Sequence, residues 1–361
     1  MQSKESIKTA QPEIEIHIHD VLSFLSCRRA WDFGSPARQN LTIIQPNKNL
    51  FLGTGIHYAL QQYYNPSTFN AGILIDPVEP FEEWFSQEKK RILTENEPTA
   101  ELEEMLNEQH DLGVGMLRHY ALWAPNHDDF TVVGTELAFK VPLMKSPDGI
   151  PVYYVGRIDK ILQDSHGRLW AAEFKTWAQI DLDRLKLEMQ PTAYLWALRK
   201  QYDVKVEGML YTILRKKVPR KPAPLISGGF SKAKNIDTTY EVYLATLQEA
   251  NEDPKAYQEV LDTLKEKGNT FFVREAVYRT EGEITSFEST LRNILRDMLS
   301  EDLSVYPAPE PLKCRSCQFK PACLALAEGR DVNFILQTLF RKRTMDDFTP
   351  LEDALSEVII F

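Results

Sequence analysis

The chain has 361 residues, of which 43% are hydrophobic and 26% charged, with a formal net charge of −10. That length buries a sizeable core, as one large domain or two ordinary ones, and the composition is that of a globular protein. An acidic chain does not advertise a nucleic-acid surface, so contact with a polyanion would have to come from a local basic patch. No apolar run approaches the roughly 18 residues of a membrane span. The opening MQSKESIKTAQPEIEIHIHD lacks the apolar stretch of a signal peptide. The expected compartment is therefore the reducing cytoplasm, where stable disulfides are rare.

In chain order, the residues before Pro12 are polar and expected to be loose. Val21 to Phe33 reads as a helix with Asp20 as N-cap, and Gly53 to Tyr64 as another. Pro80 to Trp123 is a long charged helical stretch forming, with its neighbours, an N-terminal helical part over 1–125. The period then changes. Phe130 to Leu143, Val152 to Gln163 and Leu169 to Trp177 alternate and are rich in β-branched residues, and Asp164 to Gly167 is a hairpin turn. Leu182 to Lys200 returns to helical spacing, and Lys205 to Leu214 reads as a fourth strand. Residues 126–215 thus form an α/β core with a mixed central sheet flanked by helices.

Residues 216–310 hold a basic loop and accessory helices, helical over Thr238 to Lys267 and Glu281 to Leu299 with a strand at Thr270 to Tyr278. The loop and its approach carry Arg215, Lys216, Lys217, Arg220 and Lys221, and read either as a solvated loop or as a contact for DNA phosphates. A cysteine segment occupies 311–326. The tail over 327–361 is acidic and helical, and its apolar end Val358 to Phe361 is expected to pack onto its own domain.

Two constellations carry chemistry. On a strand, residues two apart share a face, so Glu173 and Lys175 point the same way. Pairing through the hairpin can set Asp159 beside Glu173, gathering two carboxylates and an ammonium within apolar flanks. Buried unpaired, these charges would cost several kcal/mol. A hard cation with oxygen ligands relieves them, and Mg²⁺ uses one or two carboxylates plus waters and phosphate oxygens. A lysine beside it can orient an attacking water, which is the chemistry of phosphodiester hydrolysis. The other reading is a surface ion pair of Glu173 with Lys175 or Arg157. Gln190 and Tyr194 lie four apart on one helix face, placed either to bind phosphate, to hold the lysine or simply to pack. His57 can lend an imidazole nitrogen to a metal. Glu136 is a further acidic candidate, while His17 and His19 receive no role.

The second constellation is cysteine. Cys314, Cys317 and Cys323 form C-x₂-C-x₅-C, and the fourth, Cys27, lies far upstream. Four thiolates suit either Zn²⁺ or a [4Fe–4S] cluster, but the spacing is not that of two paired CxxC knuckles.

Gly156-Arg157-Ile158-Asp159 followed by Glu173-Phe174-Lys175 resembles the core of PD-(D/E)xK nucleases. Gln190 to Tyr194 as Q-x-x-x-Y, and Gly53 to His57 upstream, resemble the RecB-like branch, over a span from about Leu22 to Leu214. The resemblance implies a restriction-endonuclease-like fold with Asp159, Glu173 and His57 as ligands of Mg²⁺ or Mn²⁺. It makes Lys175 the residue assisting water. The cysteines resemble the iron–sulfur staple of AddAB-type nuclease domains and CRISPR adaptation exonucleases, in which one cysteine before the core and three after it share a [4Fe–4S] cluster. That staple would join the N- and C-terminal helical parts. The implied function is a DNA exonuclease acting on single-stranded or free ends, with DNA and other replication or recombination proteins as partners and no membrane. The competing class is a catalytically silent DNA-binding scaffold that keeps the fold. No G-x-x-x-x-G-K-[ST] is present, so the chain is not itself a helicase.

Overall fold

The computed structural model describes residues 12–45 and 47–344. It begins with β1 (Ile14–Ile16), α1 (Ile18–Ser26), α2 (Arg28–Gly34) and β2 (Leu41–Ile43). Four helices follow: α3 (Lys48–Tyr63), α4 (Pro66–Phe69), α5 (Val78–Glu95) and α6 (Ala100–Trp123). Then come β3 (Phe130–Lys145), β4 (Pro151–Asp164), β5 (Leu169–Trp177), α7 (Leu182–Leu187), α8 (Gln190–Tyr202) and β6 (Met209–Arg215). The chain continues through α9 (Tyr240–Glu249), α10 (Gln258–Lys267), β7 (Phe272–Val277) and α11 (Glu281–Met298). It closes with α12 (Pro311–Arg315), α13 (Lys320–Ala327), α14 (Val332–Leu339) and β8 (Phe340–Lys342).

The central sheet is mixed, in the order β1-β4-β5-β6-β7 with β3 also on β4. The β1/β4 and β5/β6 pairs are parallel and the others antiparallel. One sheet face packs Ile158, Ala171, Tyr211 and Ile213 against α1, α8 and α11. The other packs Ala172, Phe174 and Leu214 against α3, α5 and α6. The α/β core is thus three-layered, each buried Leu- or Phe-sized side chain contributing ~1.5–3 kcal/mol. The sheet also recruits β1 and β7 from outside 126–215.

Several expected single helices are broken, each for a local reason. Val21 to Phe33 splits at Cys27, whose backbone is extended (φ −162, ψ 108). Asp20 is not the N-cap: it sits in the first turn of α1, and its carboxylate accepts from the His17 N–H at 3.2 Å. Pro80 to Trp123 splits after Glu95, and Thr99 caps the second piece through the Leu102 N–H. Leu182 to Lys200 breaks at the extended Glu188, with Pro191 in the first turn of α8. Thr238 to Lys267 is two helices joined by a short 3-10 turn at Pro254–Tyr257. The helix expected from Gly53 begins earlier, at Lys48. The hairpin stands where the pattern set it, turning on Gly167 at φ +78. The loose start before Pro12 and the apolar end Val358 to Phe361 lie outside the described residues. Short β2 and β8 pair with each other, a contact that no alternation announced.

Candidate active site

The site forms where β4 and β5 part. Their ladder runs to Lys160 opposite Ala172. One step on, Asp159 no longer faces a backbone partner. Instead its Oδ2 accepts the Phe174 N–H at 2.9 Å. Ile158 and Ile161 are three apart yet join the same core cluster, so the alternation slips between them. Asp159 sits in that slip. Across β3, Glu136 takes a left-handed backbone (φ 54) that a residue with a Cβ rarely adopts. Such irregularities re-aim side chains at active sites. Gly156 has its own cause, since a Cβ there would come within 2.5 Å of the Phe139 ring.

Glu173, Lys175, Gln190 and Tyr194 form one hydrogen-bonded chain. Lys175 Nζ donates to Gln190 Oε1 at 2.7 Å and to Glu173 Oε1 at 3.2 Å. Gln190 Nε2 donates to the Tyr194 hydroxyl at 3.0 Å and to Glu173 Oε1 at 3.3 Å. Of the options the sequence left open, the one drawn is Gln190 holding the lysine and Tyr194 anchoring Gln190. Glu173 Oε2 is buried without a hydrogen-bond partner. Burial first, and the Asp159 carboxylate second, push Glu173 up to about 8. The same two causes push Glu136 up to about 7, although its Oε2 pairs with Arg157 Nε at 2.7 Å.

His57 arrives from the opposite layer. A Cβ at Gly55 would come within 2.4 Å of the Trp84 ring and 2.8 Å of Phe81, so the glycine lets α3 press close to α5. His57 Nδ1 then stands 3.4 Å from Asp159 Oδ2 and its ring packs edge-on to Phe174. Burial holds the imidazole below its usual range, against the pull of Asp159. A neutral ring is the form that can ligate a metal. Among the described residues, no group of three or more His, Cys, Asp or Glu is gathered to hold a metal ion. Here Glu173 Oε1 is drawn to Lys175 and Gln190. The orphaned Glu173 oxygen nevertheless fits a hard cation that needs only one or two protein carboxylates.

Three residues the sequence reading passed over also belong here. Arg279 has only 6% of its side chain exposed. Its guanidinium donates to Thr192 Oγ1 and to the carbonyls of Tyr278, Leu185, Lys186 and Glu188. It thereby fixes the turn that delivers Gln190. Lys160, 2% exposed, lies against the rings of Phe174 (3.4 Å) and Tyr64 (3.9 Å), and burial holds its ammonium well below the usual lysine range. A lysine inside an apolar strand was the available signal. His19 lies within electrostatic reach of Lys175 and Glu188, where burial and the lysine lower its imidazole.

The basic loop is largely occupied within the molecule. Arg215 and Lys217 pair with Asp237, at 2.8 and 2.5 Å, and Lys221 pairs with Glu249 at 2.8 Å. The Lys216 N–H donates to the Trp177 carbonyl, and the Arg220 N–H to Asp237.

The four cysteines are free thiols, all half-buried. The Ala308 N–H points to Cys27 Sγ and the Glu310 N–H to Cys314 Sγ, both at 3.4 Å. Arg29 Nη1 reaches Cys323 Sγ at 3.8 Å, and Cys317 takes a backbone hydrogen bond from Phe319. Burial pushes the Cys317 thiol up, and Cys27, Cys314 and Cys323 each add to the rise, so all four lie within electrostatic reach. The apolar cluster of Phe33, Phe319, Ala322 and Phe340 packs in this part of the molecule.

A three-layer α/β core with an acid–acid–lysine centre at a splayed strand pair defines a class of metal-dependent nuclease. The model of the PD-(D/E)XK nuclease superfamily matches residues 20–324, and the chain belongs to that superfamily. Its members use Mg²⁺ or Mn²⁺. A solved structure titled "Crystal structure of SSO0001" is 13% identical, with 88% of this chain and 90% of that chain covered and a TM-score of 0.35. No curated protein sequence matches the chain. No helix among the described residues is long and apolar enough to cross a membrane.

Proposed function

We propose that this nuclease belongs to the RecB-like branch and acts on DNA as an exonuclease at single-stranded or free ends. The observation that carries the reading is Lys175, bound at once to Glu173 and Gln190 beside Asp159. Asp159 and the free oxygen of Glu173 would hold Mg²⁺ or Mn²⁺, with His57 supplying nitrogen. When bound, the ion supplies a Lewis acid at the phosphoryl group and an acidified water. Lys175 presents its ammonium to that water, Gln190 fixes the lysine's direction, and Tyr194 fixes Gln190. Glu136 adds a further carboxylate across β3. Arg215, Lys216, Lys217, Arg220 and Lys221 would contact DNA phosphates, for which Arg215, Lys217 and Lys221 exchange their internal carboxylate partners for phosphate.

The cysteine spacing supports a [4Fe–4S] staple of the AddAB-type pattern, while among the described residues the thiols form no ready metal-holding group. An N–H donor at every sulfur is the environment that tunes such clusters. Zinc is the competing occupant. Anaerobic purification with a visible spectrum and iron count separates the two. The function is tested on end-labelled single and double strands with Mg²⁺ or Mn²⁺. Cleavage is expected, and is lost in Lys175→Ala and Asp159→Ala. Equal rates in both variants and the parent would refute the site. Binding that survives EDTA with no cleavage under any divalent ion would leave a silent scaffold.

A further inference from the structure

Resting on the nuclease reading above, we propose that Trp177 and Arg184 form a nucleotide-stacking station for an unpaired base of single-stranded DNA, next to the cleavage centre. Trp177 continues the strand face of Glu173 and Lys175, two residues beyond the lysine and so about 7 Å further along β5. Its backbone is pinned by pairing with Arg215 and by the Lys216 N–H on its carbonyl at 2.8 Å. Its side chain is half-buried and packs against the core, with the Arg184 guanidinium over its ring, so a base stacks there as Arg184 turns from the ring toward a phosphate.

Arg184 supplies the second half. Its guanidinium lies 5.4 Å from the centre of the Trp177 ring, and 64% of its side chain is exposed. Its ion partner is Glu188, at 2.9 Å. That carboxylate sits two residues before Gln190, in the turn that Arg279 clamps. Arg184 and the lysine-holding Gln190 therefore flank one turn, the turn that Arg279 binds.

Every base has a π face, so an aromatic ring with a guanidinium beside it takes single strands with little regard to sequence. Arg184 can exchange Glu188 for a backbone phosphate, which offers the same planar pairing with more charge. A base still paired and stacked within a duplex cannot reach a half-buried ring at the end of a strand. The station thus selects an unpaired end at the point where the chain enters the centre.

Binding is measured in the Lys175→Ala background with Mg²⁺ present, using a fluorescent oligothymidylate and a blunt duplex. Trp177→Ala should raise the single-strand Kd roughly tenfold, while the duplex Kd moves less than about twofold. Trp177→Phe should restore most of the affinity and abolish the tryptophan quenching caused by the oligothymidylate. Arg184→Ala should raise the single-strand Kd about threefold and lower the salt slope by about one. Unchanged single-strand affinity in Trp177→Ala overturns the proposal, as does an equal loss for both DNAs. If these shifts appear but the parent cleaves nothing, the nuclease reading fails and the station stands. If the parent cleaves and Trp177→Ala binds unchanged, the station fails and the nuclease reading stands.

Discussion

The carboxylate centre and the cysteine centre are assembled in opposite ways. Asp159, Glu173 and Lys175 come from one hairpin, and buried hydrogen bonds link glutamate, lysine, amide and phenol. Cys27 and the other three come from the two ends of the described chain, and their sulfurs meet backbone N–H groups and the Arg29 guanidinium. Sequence proximity makes the first centre cheap to assemble. The second requires closing a very long loop, which is costly in chain entropy. The protein does not leave that closure to the thiols alone. Strands β2 and β8 pair, and Phe33 packs with Phe319 and Phe340. The first centre is suited to positioning and the second to holding, so the two should fail differently.

The sharpest break between them is Lys175→Ala. Removing the ammonium should cost about 10³-fold in cleavage, the scale of losing one group that stabilises developing charge. Iron content and melting temperature should stay close to the parent's. Cleavage lost together with iron would mean that the centres are not separable.

Cys314→Ser is the converse. It should abolish the iron signal and lower stability by ~3–4 kcal/mol, somewhat below the chain-entropy value for so long a loop. The shortfall is expected because β2/β8 and the phenylalanine cluster still clasp the ends. Folded molecules that remain should cleave at near the parental rate per molecule. A chain that stays unfolded at every temperature would show the clasp to be worthless without the cluster.

Arg279→Met tests how positioning reaches the first centre. The residue touches no part of the acid–acid–lysine group, yet it binds the carbonyl two residues before Gln190. Loosening that turn should lower kcat about tenfold with little change in KM. Arg279→Lys should recover part of the rate. A loss confined to KM would instead mark Arg279 as a substrate contact.

The legible parts of the molecule follow the same division. E-x-K on one strand, the turn at Asp164 to Gly167 and Q-x-x-x-Y on one helix are short-range patterns, and side-chain period alone gathers them. Three features needed tertiary knowledge. Cys27 breaks an otherwise continuous helical pattern. Arg279 acts on a turn far away in sequence. The slip at Asp159, opposite the left-handed Glu136, looks in the sequence like unbroken alternation. The basic loop shows a further limit: a count of lysines and arginines does not see Asp237, which holds two of them.

The smallest expected effect concerns pH, and it bears on whether the carboxylates await a cation. Glu173 rises from 4.5 to about 8 and Glu136 from 4.5 to about 7, both chiefly through burial. A carboxyl whose folded value is raised binds more protons in the native than in the unfolded state. Its stabilising contribution is complete below about 4.5 and is lost as pH rises through about 8. Metal-free protein should therefore lose melting temperature across that window, and Glu173→Gln should flatten the slope. A bound cation takes over the role of the proton, and its affinity rises as the carboxylates ionise. Adding Mn²⁺ should thus reverse the slope in the parent and not in Asp159→Asn. A metal-free slope that is flat in the parent would mean that Glu173 keeps its charge unaided, satisfied by Lys175, and that the orphaned oxygen is no sign of a cation site.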